Sequence, residues 1–106
     1  MARYVRARAR AYVAMPRPFT WSSRHEVGVE AARAALEAFP GIVVMDDCAT
    51  NTYPMPGLLA GTNETYVGRL RRDDTVDHGL AMWVVADQIR KGAALNAVQI
   101  AQLLLP

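Results

Sequence analysis

Three arginines alternate with alanines near the start of the chain: Arg6, Arg8 and Arg10, with Ala7, Ala9 and Ala11 between and after them. On a strand such residues share one face, where their guanidinium groups could grip a carboxylate or phosphate bidentately. Arg90 and Lys91 form a second cationic pair, at the start of the expected last helix. A helix N-terminus disfavours cations. The pair is therefore either exposed or holds an anion together with the amides near Gly92. Tyr12, Tyr53, His25 or an aspartate could move protons; of the two histidines, His25 precedes the first expected helix and His78 lies in an acidic turn. Both histidines read as surface residues. Cys48 follows Asp46 and Asp47 in a loop and reads as an ordinary loop residue. Asp46 and Asp47 are adjacent at a strand end, so their side chains diverge. Asp73, Asp74 and Asp77 lack a ligand-rich partner segment, and no metal site is expected.

These residues need elements to position them. Residues 3–14 read as a strand with a solvated or pocket-lining charged face. Pro16 and Pro18 should interrupt pairing, implying an edge, a bulge or a loop. Phe19 to Ser22 could form a short second strand. Val29, Ala32, Leu36 and Phe39 recur at helical spacing, which predicts an amphipathic helix over 29–38, ended by Pro40 and Gly41. Ile42 to Met45 is a continuous apolar run and reads as a strand buried on both faces. Residues 47–63, with Asn51, Pro54, Pro56, Gly57 and Gly61, read as a long loop. Thr65 to Arg71 and Leu80 to Ala86 complete the strands. Asp87 can cap a final helix over 89–104. The expected fold is α+β, a mixed sheet of four to five strands packed with two helices in one domain spanning 1–106. Trp21, Trp83 and Tyr66 are expected in the core or an interface. Leu103, Leu104 and Leu105 require a cover.

Composition narrows the classes. A chain of 106 residues with 52% hydrophobic and 21% charged content suits a single globular domain. Residues 1–24 hold six arginines and no acid; the remainder holds six basic and ten acidic residues, a net of −4. A basic arm suggests nucleic acid, yet no lysine cluster or aromatic platform supports such a partner. No apolar run suits a membrane span. The N-terminus lacks the apolar stretch of a secretory signal, and a lone cysteine suits a reducing cytoplasm.

Four motifs carry a resemblance: PGIVVMDD (40–47), NTYPMP (51–56), YVGRLRRD (66–73) and GLAMWVVADQIRKGAALNAVQIAQLL (79–104). With VEAARAAL (29–36), they make the chain similar to the C-terminal part of aspartate-β-semialdehyde dehydrogenases, about the last third of such an enzyme. That family reduces aspartyl phosphate with NADPH through a cysteine thioester. A Rossmann domain binds the nucleotide; a C-terminal domain supplies the dimer interface and part of the active site. The resemblance implies that most of the chemistry is missing. No GxGxxG occurs, so no cofactor is expected. Cys48 does not match the family nucleophile. The ungapped register puts Arg8 on the arginine that grips the substrate carboxylate and Met15 on the acid/base histidine. A thioether cannot transfer a proton at neutral pH. Gln88 stands where the family usually has an asparagine beside the nicotinamide.

The leading expectation is a stand-alone dimerisation or binding domain, a pseudoenzyme that has lost NADP-dependent chemistry. In relatives the terminal helix packs on the nucleotide domain. Its uncovered surface here implies a homodimer or higher oligomer. One alternative is a small cofactor-free cyclase, isomerase or lyase, binding an anionic metabolite in an arginine-lined pocket. Another is a subunit complementing a separate Rossmann-domain protein.

Overall fold

The computed structural model describes residues 14–105. The expected strand over 3–14 lies almost wholly outside them, as do Arg6, Arg8, Arg10 and Tyr12. Four strands, β1 (Ala14–Ser22), β2 (Ile42–Val44), β3 (Thr65–Asp73) and β4 (Gly79–Asp87), form one sheet in the order β1-β4-β3-β2. β4 pairs antiparallel with both β1 and β3, while β2 runs parallel to β3. The helices are α1 (Val29–Ala38), the short α2 (Pro56–Leu59) and α3 (Leu95–Leu104); a π-helical turn, Arg90–Ala94, leads into α3. This is the mixed α+β architecture that the residue pattern predicts.

Alternation along β4 divides the core into two layers. Leu80 and Met82 face α1 and pack with Ala32, Leu36 and Leu70. Val85 and Trp83 face the other side and pack with Leu59, Met45, Ala60 and Tyr66. The apolar run 80–86 is thus a central strand covered on both faces. The run 42–45 is not. β2 is the sheet's edge strand among the described residues, and Val43 is exposed. A β-branched run reports strand propensity, not position within the sheet.

Pro16 and Pro18 do not interrupt the ladder. They sit opposite Val85 and Trp83 in one unbroken strand that runs on through Ser22. The two prolines share parity, so both missing N–H groups fall on the same side of β1, an edge strand among the described residues. The separate strand expected over 19–22 is therefore the end of β1. Helix α1 spans 29–38 as its spacing predicts, and Gly41, at φ +81°, supports the turn after it. Phe39, expected on the buried face, lies just past the last helical turn and is exposed.

Candidate dimerisation surface and polar cleft

The first feature follows from a mismatch between helix and sheet. A ten-residue helix is about 15 Å long and covers only part of a four-strand face. Among the described residues, α1 lies over β4, β3 and β2 and leaves the β1 side bare. Phe19 and Trp21, opposite Met82 and Leu80, stay about half exposed. Between them and the Ala31, Ala35 and Phe39 side of α1 runs a groove of about 550 Å³, lined only by apolar residues. Isolated exposed apolar side chains are ordinary; a contiguous groove marks an interaction surface.

The second feature is a polar cleft built around Asp46. Its carboxylate is almost wholly buried and accepts from Arg33 Nη2 at 2.8 Å, from the Arg69 amide at 2.8 Å and from the Leu70 amide at 3.2 Å. The last two donors lie in a bulge. The β3–β4 register shifts between Gly68 and Arg71, which frees those amides from the ladder. Asp46 supplies the acceptor they would otherwise lack. The bulge also resets side-chain parity, turning Leu70 into the α1 layer and Arg71 away from it. The hydrogen bond that Arg33 donates to Asp46 is the main reason its pKa lies above the ordinary value.

The segment 47–64 docks on the bulge. Pro54 is fully buried against Gly68, and a Cβ at position 68 would overlap both Pro54 Cδ and the Met45 carbonyl oxygen. The Pro54 carbonyl accepts from Trp83 Nε1 at 3.2 Å. Next to it, the Arg69 guanidinium sits 4.5 Å from the centre of the Tyr53 ring. Asp47 points elsewhere, as adjacency on a strand end predicts. It accepts from the Thr50 hydroxyl and the Ala49 and Thr50 amides, in that order of effect, and these hold it below the usual carboxylate range. The segment is not all loop: it contains α2 and an isolated bridge between Asp47 and Thr52.

Asp87 organises the chain's last turn. One carboxylate oxygen accepts from the amides of Ile89 and Arg90, each at 2.9 Å, and the other from Gly61 at 2.8 Å. Asp87 thus caps the π-helical turn Arg90–Ala94 rather than one α-helix over 89–104, and it also ties in the 47–64 segment. Burial by itself would raise this carboxyl's pKa. The amides of Arg90, Gly61 and Ile89 and the Arg90 charge outweigh that effect and hold it low.

Of the cationic pair, Arg90 is exposed, as one of its two readings expects, and both side chains bond within the chain. Arg90 Nη1 donates to Asn63 Oδ1 at 2.8 Å, and Lys91 Nζ to Gln99 Oε1 at 2.7 Å. Two of the nearby amides already serve Asp87, a carboxylate from this chain. Met15 sits in β1 opposite Ala86. His25, His78 and Cys48 are exposed. Asp73 is engaged with Thr75, and Asp74 with Arg72. No group of three metal-ligating side chains forms among the described residues. The cleft at Arg69 and Arg71 escaped the sequence reading. The only local signal was the motif glycine at 68, which marks a close backbone approach.

Comparison with known proteins bears on the whole surface. A family model described as semialdehyde dehydrogenase, dimerisation domain, matches residues 17–91. The aspartate-semialdehyde dehydrogenase of Aquifex aeolicus is 54% identical over 80 residues, covering 76% of this chain and 24% of the relative. That of Bacillus subtilis is 42% identical over 81 residues, covering 76% and 23%. The crystal structure of aspartate semialdehyde dehydrogenase II from Vibrio cholerae, complexed with ASA, aligns at a TM-score of 0.77 and 35% identity. That alignment covers 86% of this chain and 26% of the other. The chain spans about a quarter of the length of these relatives.

Proposed function

The chain belongs to the semialdehyde dehydrogenase family as a C-terminal dimerisation domain, and from that premise we propose that it associates with a second copy of itself. The supporting observation is the groove between β1 and α1, apolar throughout and rimmed by the exposed Phe19, Trp21 and Phe39. Burying aromatic side chains of this size contributes most of the energy in interfaces generally. Sedimentation at micromolar concentration tests the reading. Wild type should run as a dimer or larger, and the double variant Phe19→Lys, Trp21→Lys should run as a monomer with its melting temperature little changed. A monomeric wild type would overturn it.

We also propose that the family's proton transfer is lost at this domain. The support is the identity of residue 15, a methionine at the position the ungapped register gives to the acid/base histidine. No hydride-donor cradle is expected from these residues, and a thermal-shift titration with NADP checks that directly. Low-micromolar affinity would contradict it. The exposed Cys48 suits a reducing, cytoplasmic setting.

A second reading rests on α3. It has no buried residue, and Val98, Ile100, Leu103 and Leu104 are all exposed. A nucleotide-binding domain, on a longer form of the chain or on a partner protein, would cover it and supply the missing cysteine. Restored dehydrogenase activity on mixing with such a domain would establish this reading. The remaining alternative, a small enzyme acting on an anionic metabolite, depends on Arg6, Arg8 and Arg10, which lie outside the described residues.

A further inference from the structure

We propose that the cleft between the Asp47–Tyr53 segment and the β3 bulge binds a small oxyanion, a carboxylate or phosphate group, through Arg69 and Arg71. The cleft has a volume of about 450 Å³, and both arginines line it together with Tyr53. Three observations converge there, none of which depends on the dimerisation reading.

The first is backbone strain. Arg69 has φ +52°, in the left-handed region that a long side chain rarely adopts. Glycine would relax that position, yet an arginine stands in it. Strain of this kind persists only where surrounding contacts impose it, and it concentrates at binding sites. Here the Asp46 carboxylate imposes it through the Arg69 and Leu70 amides.

The second is charge. The Asp46 carboxylate is already balanced by Arg33. Neither Arg69 nor Arg71 forms an ion pair among the described residues, whereas Arg33 and Arg72 both do. With Arg33 set against Asp46, the two guanidinium groups share the cleft with a single further carboxylate, that of Asp47, among its lining residues. The Asp47 carboxylate on the same wall is engaged by its own turn.

The third is preorganisation. The Tyr53 ring fixes the Arg69 guanidinium plane from one side. Arg71 Nη1 donates to the Arg69 carbonyl at 2.9 Å, which holds the second guanidinium against the first residue's backbone. A planar fork held in place loses less rotamer freedom on binding, the usual basis of bidentate oxyanion recognition.

The test is a titration of the full chain, followed by amide and arginine side-chain NMR signals. Inorganic phosphate, succinate and chloride form three arms at constant ionic strength. Saturable shifts at Arg69 and Arg71 with phosphate or succinate, but not chloride, support the site. The arm that saturates at lower concentration identifies the source chemistry. Arg69→Gly should weaken binding at least tenfold while leaving the melting temperature equal or higher, because it removes guanidinium and strain together. Arg71→Gln should weaken binding in the same direction. Unsaturable shifts in every arm, or equal affinity in Arg69→Gly, would overturn the proposal.

Discussion

The Asp46 carboxylate lies 2.8 Å from the backbone amide of Arg69, 23 residues further along the chain. The same carboxylate reaches Leu70 and Arg33, so one side chain joins β2's exit, the β3 bulge and α1. Removing it would strand two amides and a half-buried guanidinium. Asp46→Ala should therefore lower stability by about 2–3 kcal/mol. Asp46→Asn, which keeps one acceptor oxygen, should lose less. Urea midpoints at constant slope measure both, and a loss in Asp46→Ala below about 0.5 kcal/mol, the range of an ordinary surface change, would show that the bulge holds itself.

Gly68 is needed for space rather than for an unusual φ. A methyl group there would overlap the Met45 carbonyl and the Pro54 ring, and one of those is backbone. Gly68→Ala should cost about 1–3 kcal/mol, as overpacking does elsewhere. It should also lift Pro54 away from Trp83, whose indole N–H bonds the Pro54 carbonyl. A red shift in Trp83 fluorescence, read in a Trp21→Phe background, is the expected signature.

How much of this was legible before the fold was known varied with the range of the interaction. Helix α1 and the Asp87 cap are local, and the spacing of Val29, Ala32 and Leu36 and an aspartate ahead of a helix sufficed. The apolar runs at 42–45 and 80–86 look alike as text, yet only β4 has a strand on each side. That difference lies in the sheet order, which no short window encodes. Pro16 and Pro18 pointed to an edge, a bulge or a loop; β1 is an edge strand among the described residues, and only the expected break in pairing did not occur. Asp46 gave no hint of its role, because its partners sit in a bulge far along the sequence. NTYPMP and YVGRLRRD are two of the four motifs that carried the family resemblance. In the structure these two motifs meet: Pro54 of one packs on Gly68 of the other.

Acid should weaken the fold through Asp87 in particular. Its folded pKa lies below that of an unfolded carboxyl, about 3.9. A depressed pKa means its contribution is whole above that unfolded value and is lost as pH falls through the lower folded value. Asp47 and Asp73 are depressed as well, so wild type should lose stability on acidification below about pH 4. In Asp87→Asn the acid limb of the melting-temperature profile should flatten, with lower stability at neutral pH. An unchanged acid limb would mean that Asp87 titrates alike in both states.

Helix α3 should be the least protected helix of the free chain. It buries no side chain, and a helix of ten residues is marginal in water without tertiary support. Asp87 holds the π-helical turn before it and Lys91 links to Gln99, but among the described residues nothing comparable fixes the stretch from Ile100 to Leu104. Amide exchange there should be fast, while Val85 in β4 exchanges only with global unfolding. Val98→Asp should change stability by less than about 0.5 kcal/mol, as at other exposed sites. The same measurement separates the two modes of association. If protection of α3 rises with protein concentration, the helix takes part in self-association; if it rises only when a nucleotide-binding domain is added, the groove at Trp21 and the helix at Leu103 serve different partners.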